Sequence, residues 1–156
     1  RFHIGESLLP AGLPVLERLG IAHHITHELD VDLSVPAVGQ GVIGIECRAD
    51  DAHSRDVLTA LHHTDTFTRL TAERAFAAAL GGSCHSPIAA HATLDRKPLT
   101  LSGFIGAPDG SETYRDRLTG PSSAAASLGH DLARRMQAAG AETLLQRLRQ
   151  EAAATP

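Results

Sequence analysis

The chain has 156 residues, of which 42% are hydrophobic, and its formal net charge is −4 with the histidines counted as neutral. This length suits one domain, or a domain with part of another, and the composition lacks the low hydrophobicity and high charge of a disordered chain. Acidic and basic residues are mixed along the chain, so there is no basic tract of the kind that binds nucleic acid or anionic membranes. No apolar run is long enough to cross a bilayer.

The first third of the chain is predicted to be a partial α/β segment. Residues 1–12 show neither an initiator methionine nor a signal-peptide pattern, so we expect a piece of a longer protein. Apolar residues at helical spacing predict helices over 13–19 and 21–28, with a break at Gly20. The β-branched, glycine-punctuated run 37–48 is typical of a strand buried on both faces.

The rest of the chain predicts helices that enclose a group of strands. Asp50 and Asp51 are good N-terminal residues for a helix over about 51–62, and Thr64 or Asp65 can cap the next helix. Strands are predicted within 87–95, 98–108 and 111–118, and two helices follow, the first capped by Ser122 or Ser123 and the second beginning after Gly140. This order indicates an α+β fold with a small three-stranded antiparallel sheet and helices on one of its faces.

The two cysteines are too few for a disulfide framework, and a reducing cytoplasm is the default for such a chain. Cys47 alternates with strand residues and is predicted to be buried. Cys84 lies in a Gly-Gly-Ser-Cys-His-Ser-Pro loop, where an ordinary thiol, a nucleophile and a covalent anchor all stay open. A nucleophile needs a lowered thiol pKa, and the negative end of the preceding helix opposes one. A covalent attachment made once needs only reach, exposure and flexible glycines.

Two further polar motifs carry weaker signals. The segment Gly39-Gln40-Gly41 lacks the spacing of a dinucleotide loop, and a sharp turn explains it as well as a ligand-facing Gln40 does. Arg48 can form an ion pair with Glu46 on the same face of the predicted strand or can face a ligand. The ten histidines form no evident metal-ligand set, so no metal site is predicted.

Three segments together resemble the porphobilinogen deaminase family, also called hydroxymethylbilane synthase. They are PAVGQGVIGIECRADD (36–51), TAERAFAAALGGSCHSPIAAHA (71–92) and GFIGAPDGS (103–111), in the family's order and spacing. The resemblance implies that residues 50–156 form the C-terminal, cofactor-bearing domain and that residues 1–49 are an incomplete segment returning from the preceding domains.

The resemblance also implies a transferase of tetrapyrrole and haem biosynthesis. In this family four porphobilinogen units condense stepwise, with loss of ammonia, to give hydroxymethylbilane on a dipyrromethane cofactor that a cysteine holds as a thioether. The matching residue here is Cys84. Gln40, with Gly39 and Gly41, matches a segment near the cleft, and Arg48 matches a family arginine.

The resemblance places the family's catalytic aspartate in the preceding domains, so no catalytic residue is assigned here. We therefore expect the chain alone to be inactive. Its expected partners are porphobilinogen and the missing domains of the same enzyme, with no nucleic acid and no membrane, in a cytoplasmic protein that is monomeric at full length.

Residues 1–20 are of uncertain origin, because they resemble the GESLLP region of flavin-dependent halogenases rather than the deaminases. The cysteine loop also departs from the common Gly-Gly-Cys-Gln-Val-Pro form. Two other functions stay open on the sequence: a non-catalytic α+β binding or regulatory module, and a fragment of a flavin-dependent oxidoreductase.

Overall fold

A computed structural model describes residues 13–27, 29–82, 86–94 and 98–154. The helices are α1 (Leu13–Arg18), α2 (Ala52–Thr59), α3 (Thr64–Ala79), α4 (Ala125–Met136) and α5 (Glu142–Ala154). The strands are β1 (Ile88–Leu94), β2 (Leu99–Gly106) and β3 (Thr113–Gly120). Short 3₁₀ turns cover Ala22–His24 and Ser122–Ala124, and a π-helical turn, Gln137–Ala141, joins α4 to α5.

The three strands form one antiparallel sheet in the order β1-β2-β3, which confirms the predicted α+β fold. Alternate residues of β2 are buried, as the two-residue period of a strand requires when one face meets the core. Leu101 of β2 lies opposite Ala92 of β1 and Leu118 of β3 in this register. The hairpin between β2 and β3 turns at Gly110, whose φ is +75°.

Helices α3 and α4 cover one face of the sheet and enclose the core. Phe76 of α3 lies at its centre with 0% of its surface exposed. The sheet makes room for this ring at Gly103, where a Cβ atom would lie 2.8 Å from Cζ of Phe76. The helices approach most closely at Gly129 of α4, where a Cβ atom would overlap the backbone carbonyl oxygen of Ala72.

The predicted break at Gly140 is confirmed, because this residue has φ +117° between α4 and α5. A Cβ on Gly140 would lie 2.7 Å from the Tyr114 hydroxyl, which donates to Glu112 Oε1 at 2.6 Å. Arg147 donates to the other carboxylate oxygen at 3.0 Å. The hydrogen bond from Tyr114, followed by the contact with Arg147, holds the pKa of Glu112 below its usual value.

The capping residues are only partly as predicted. Asp51 caps α2 and accepts from the Ser54 N–H at 3.0 Å, and this bond lowers the pKa of its carboxyl. The cap of α3 is His63, whose Nδ1 accepts from the Thr66 N–H, so Thr64 and Asp65 are the wrong residues. These two residues lie one and two positions after the cap, inside the first turn of the helix.

The cap of α4 was also wrongly predicted. Ser122 and Ser123 belong to the 3₁₀ turn, and neither side chain caps α4, which begins at Ala125. Because that turn occupies these residues, the α-helix starts later than the serines suggest.

The strand predicted over 37–48 is wrong. Residues 37–41 form turns, and residues 42–48 have no regular structure. Ile43 and Ile45 are 87% and 55% exposed, and Cys47 is exposed instead of buried. A strand exists only when it pairs with a neighbour, and no strand in the described part of the chain pairs with this run.

The helix predicted over 21–28 is also wrong, because the structure has only the 3₁₀ turn at Ala22–His24, and residue 28 lies outside the described residues. Among the described residues no helix is long and apolar enough to cross a membrane. Within the same ranges, no three histidine, cysteine, aspartate or glutamate side chains come together to hold a metal ion.

Candidate functional site

Glu73 joins three parts of the structure around the predicted site. It is the one charged residue that is buried in the described part of the chain, with 7% of its surface exposed. Its Oε2 accepts from the Gly39 N–H and its Oε1 from the Ala92 N–H, each at 2.8 Å. The carboxylate therefore connects the middle of α3 both to the turn over 37–41 and to the outer edge of β1.

The Gly39–Gly41 turn is shaped by its two glycines. Gly39 has φ +72° and Gly41 has φ +81°, in the left-handed region that other residues avoid. The Gln40 N–H donates to the Ala37 carbonyl at 3.0 Å, and Gln40 as a whole is exposed. A Cβ on Gly39 would lie 3.1 Å from Cδ1 of Leu70, so this turn also packs against α3.

The residues before this turn run along the outer edge of β1. The Ala90 N–H donates to the Pro36 carbonyl at 3.1 Å, and the next outward N–H of the strand, that of Ala92, donates to Glu73. An unpaired N–H row on an edge strand is a template for association with other chains. Here Pro36 and Glu73 accept from two successive outward N–H groups of that row.

Cys84 lies outside the described residues, together with residues 83 and 85. The described ends of its loop are Gly82, after α3, and Ser86, before β1. Gly81 has φ +63°, which is the left-handed conformation that commonly ends a helix. The Arg149 guanidinium donates to the Leu80 carbonyl and so ties α5 to this end of α3.

The structure brings only some of the predicted site residues together. The Gly39–Gly41 turn and β1 meet at Glu73, which precedes Leu80 by about 10 Å along the helix axis at the rise of an α-helix. Arg48 is not part of this cluster. Its side chain is 83% exposed, and its guanidinium lies 3.9 Å from the Asp51 carboxylate, a surface pair that contributes little to stability.

Sequence reasoning missed Glu73. The TAERAF segment predicts a helix, and nothing local shows that its glutamate is buried. The available signal was an acidic residue among the alanines and the phenylalanine of a core-facing helix, where a charged group needs buried partners.

Gly39→Ala is expected to lower the free energy of unfolding by about 1–2 kcal/mol, the usual cost of the left-handed conformation for a residue with a Cβ. The added Cβ also meets Leu70 at 3.1 Å. Urea unfolding followed by circular dichroism measures the change. The matched control is Gly44→Ala, where φ is not positive and no atom lies within 4 Å of the new Cβ. Equal changes for the two variants would contradict the strained turn.

Two family models match this chain. The family model described as porphobilinogen deaminase, C-terminal domain, matches residues 67–138. A second, described as porphobilinogen deaminase, dipyromethane cofactor binding domain, matches residues 10–56. The match begins at residue 10, and the resemblance of residues 1–20 to halogenases stays a prediction.

A curated relative gives the same result. The porphobilinogen deaminase of Trichlorobacter lovleyi (strain ATCC BAA-1151 / DSM 17278 / SZ) is 46% identical over 131 residues, which are 84% of this chain and 42% of the relative. The chain therefore spans less than half the length of this relative. With two matched family models in sequence order and this identity across both, the chain belongs to the porphobilinogen deaminase family.

Proposed function

We propose that this chain is the cofactor-bearing part of an enzyme that condenses four porphobilinogen units into hydroxymethylbilane. Cys84 is the point at which the dipyrromethane cofactor is attached as a thioether. The observation that carries the proposal is the 46% identity to a porphobilinogen deaminase over a stretch that includes most of both matched family domains. Residues 50–156 act as the domain that carries the attachment cysteine, and residues 1–49, which include most of the match to the dipyromethane cofactor binding domain, belong with the domains before it.

The described residues that precede Cys84 fit such an attachment. Gly81 and Gly82 are exposed and place no side chain at the base of the loop. A thioether to a pyrrolic methylene is stable, so Cys84 needs no persistently lowered thiol pKa at the end of α3. When bound, the cofactor supplies the pyrrole carbon at which the growing chain is extended, and each extension forms a C–C bond while the substrate's C–N bond breaks and ammonia leaves.

This chain contributes mainly positioning to that reaction. The turn at Gly39 and Gly41 presents Gln40, whose side-chain amide has both a donor and an acceptor for pyrrole N–H groups or carboxylates. Arg48, exposed and only weakly paired with Asp51, suits a substrate acetate or propionate.

The remaining steps need groups outside these residues. We expect the chain to depend on the other domains of the family's enzyme, to bind porphobilinogen only with them, and to work as part of a monomeric cytoplasmic protein.

Intact-mass measurement tests the attachment at Cys84. We expect a chimaera, in which this chain replaces the matching 131 residues of the Trichlorobacter relative, to carry an adduct of two pyrrole units. Cys84→Ser removes the adduct, and the matched control Cys47→Ser keeps it, because Cys47 follows the turn segment and not the glycine loop. An adduct that survives Cys84→Ser would contradict attachment at Cys84. The absence of any adduct from a folded unmodified chimaera would contradict the proposed function and favour a non-catalytic binding module.

A further inference from the structure

We propose that Glu73 is a positioning residue for this site. Its carboxylate fixes the Gly39–Gly41 turn, and therefore Gln40, on the strand that follows the Cys84 loop. The inference rests on the proposed function, since it assumes that Gln40 and Cys84 serve the same tetrapyrrole chain. Glu73 itself touches neither substrate nor cofactor and acts through the turn.

The burial of Glu73 is the first step of the argument. A buried carboxylate loses its hydration and is tolerated only when its oxygens find good partners. No basic side chain within the described ranges forms an ion pair with Glu73, and its two oxygens instead accept the Gly39 and Ala92 N–H groups. If the residue only filled space in α3, an apolar side chain would serve without this cost. The charge is explained by the two segments that it holds.

The second step is the path of the chain between these partners. Pro36 accepts from Ala90, and three residues later Gly39 donates to Glu73, which also holds Ala92. The segment from Pro36 to Gly39 is therefore fixed against β1 at two successive outward N–H groups. Gln40 follows Gly39 directly, so any movement of the Gly39 amide moves Gln40 relative to the strand that begins after the Cys84 loop.

The third step is chemical selectivity. A carboxylate can accept from two N–H donors at once, whereas the amide of a glutamine has one oxygen and one NH₂ group. In Glu73→Gln, one of the two backbone N–H groups must face another donor and loses its hydrogen bond. The substitution keeps size and shape, so it isolates the double acceptance from packing.

Amide hydrogen exchange on the 156-residue chain gives a test that needs no activity. We expect Glu73→Gln to accelerate exchange at Gly39 or Ala92 by about tenfold or more, as for loss of a hydrogen bond to a charged group. The Leu101 amide in the central strand keeps its rate, and so does every site in the surface control Glu112→Gln except those near Tyr114 and Arg147. Unchanged exchange at both Gly39 and Ala92, or equal acceleration at Leu101, would overturn the inference.

The chimaera supplies the second readout, which a merely structural role would not move. We expect Glu73→Gln to keep full loading of Cys84 but to lower kcat. In the Glu73→Gln chimaera, Gln40→Ala should lower kcat much less than it does in the otherwise unmodified chimaera. Both substitutions remove the same contact, the one between Gln40 and the tetrapyrrole chain. Independent, multiplying losses would overturn the inference. If no adduct forms in the unmodified chimaera, the proposed function fails, while the exchange experiment still decides whether Glu73 holds the turn.

A second variant covers the case in which Glu73→Gln does not fold. Gly39→Ala leaves the buried carboxylate and its bond to Ala92 in place, strains the turn and brings the new Cβ to 3.1 Å from Leu70. We expect faster exchange at residue 39, unchanged exchange at Ala92 and a lowered kcat at full loading of Cys84. An unchanged kcat in this variant would show that the position of the turn does not matter to the reaction.

Discussion

Phe76→Ala is expected to lower the free energy of unfolding by about 4 kcal/mol, in the range for truncating a fully buried aromatic ring. The ring has 0% exposure and lies between the sheet and the two covering helices. Its Cζ fills the space that the absent side chain of Gly103 leaves open, so the truncated site cannot collapse without moving a strand. Thermal unfolding should show a loss of about 10 °C in Tm for a chain of this size.

Phe67 provides the matched control on the same helix. It is 58% exposed, and its ring contacts only the exposed His62 ring at a centroid distance of 5.3 Å among the described aromatic pairs. Phe67→Ala is expected to change stability by no more than about 0.5 kcal/mol, as for most surface substitutions. Similar losses for the two phenylalanines would mean that α3 does not bury the face that holds Phe76.

Gly129→Ala is expected to destabilise the protein by about 3 kcal/mol, at the upper end for overpacking in a core. Helix propensity alone predicts the opposite sign, because alanine is favoured over glycine inside a helix by about 1 kcal/mol. Sterics decide, since the new methyl group would overlap the Ala72 carbonyl oxygen and lie 2.8 Å from Ala75 Cβ and from the Phe76 backbone nitrogen. Two of these atoms are backbone and cannot move aside without shifting α3.

Chemical denaturation measures this loss, and Gly44→Ala again serves as the control because its new Cβ meets no atom within 4 Å. A net stabilisation in Gly129→Ala would show that α4 can slide over α3 at little cost. It would contradict the close helix contact.

The sheet and its covering helices could be predicted because their signals are local. The strands alternate between core and solvent, and Asp109-Gly110 marks the hairpin. Gly140 stops one helix and starts the next because it alone can take φ +117° at that point without strain. Each of these features depends on residues within a few positions of one another.

The run from Val42 to Arg48 could not be placed in this way. Its β-branched residues favour a strand, but pairing decides whether a strand forms, and the described sheet offers it no neighbour. Cys47 is exposed for the same reason, since its predicted burial depended on that strand.

The residues of the candidate site also fall into those that the sequence predicts and one, Glu73, that it does not. The resemblance to a family supplied Cys84, Gln40 and the two flanking glycines, and the turn itself follows from positive φ at Gly39 and Gly41. Glu73 could not be found, because its hydrogen-bond donors lie far away on either side in the sequence. Only the folded arrangement shows that this acid has two backbone partners.

The contacts of Pro36 and Glu73 bear on where an autonomous folding unit can begin. A polypeptide that started at residue 50 would keep every strand and helix of the core. It would lack the Pro36 carbonyl, which accepts the hydrogen bond from the Ala90 N–H. The flank of the sheet would then be free to recruit a second molecule, in the manner that leads to aggregation. The segment that contains Pro36 thus protects the edge of the sheet from aggregation, and only a chain that includes this segment has that protection.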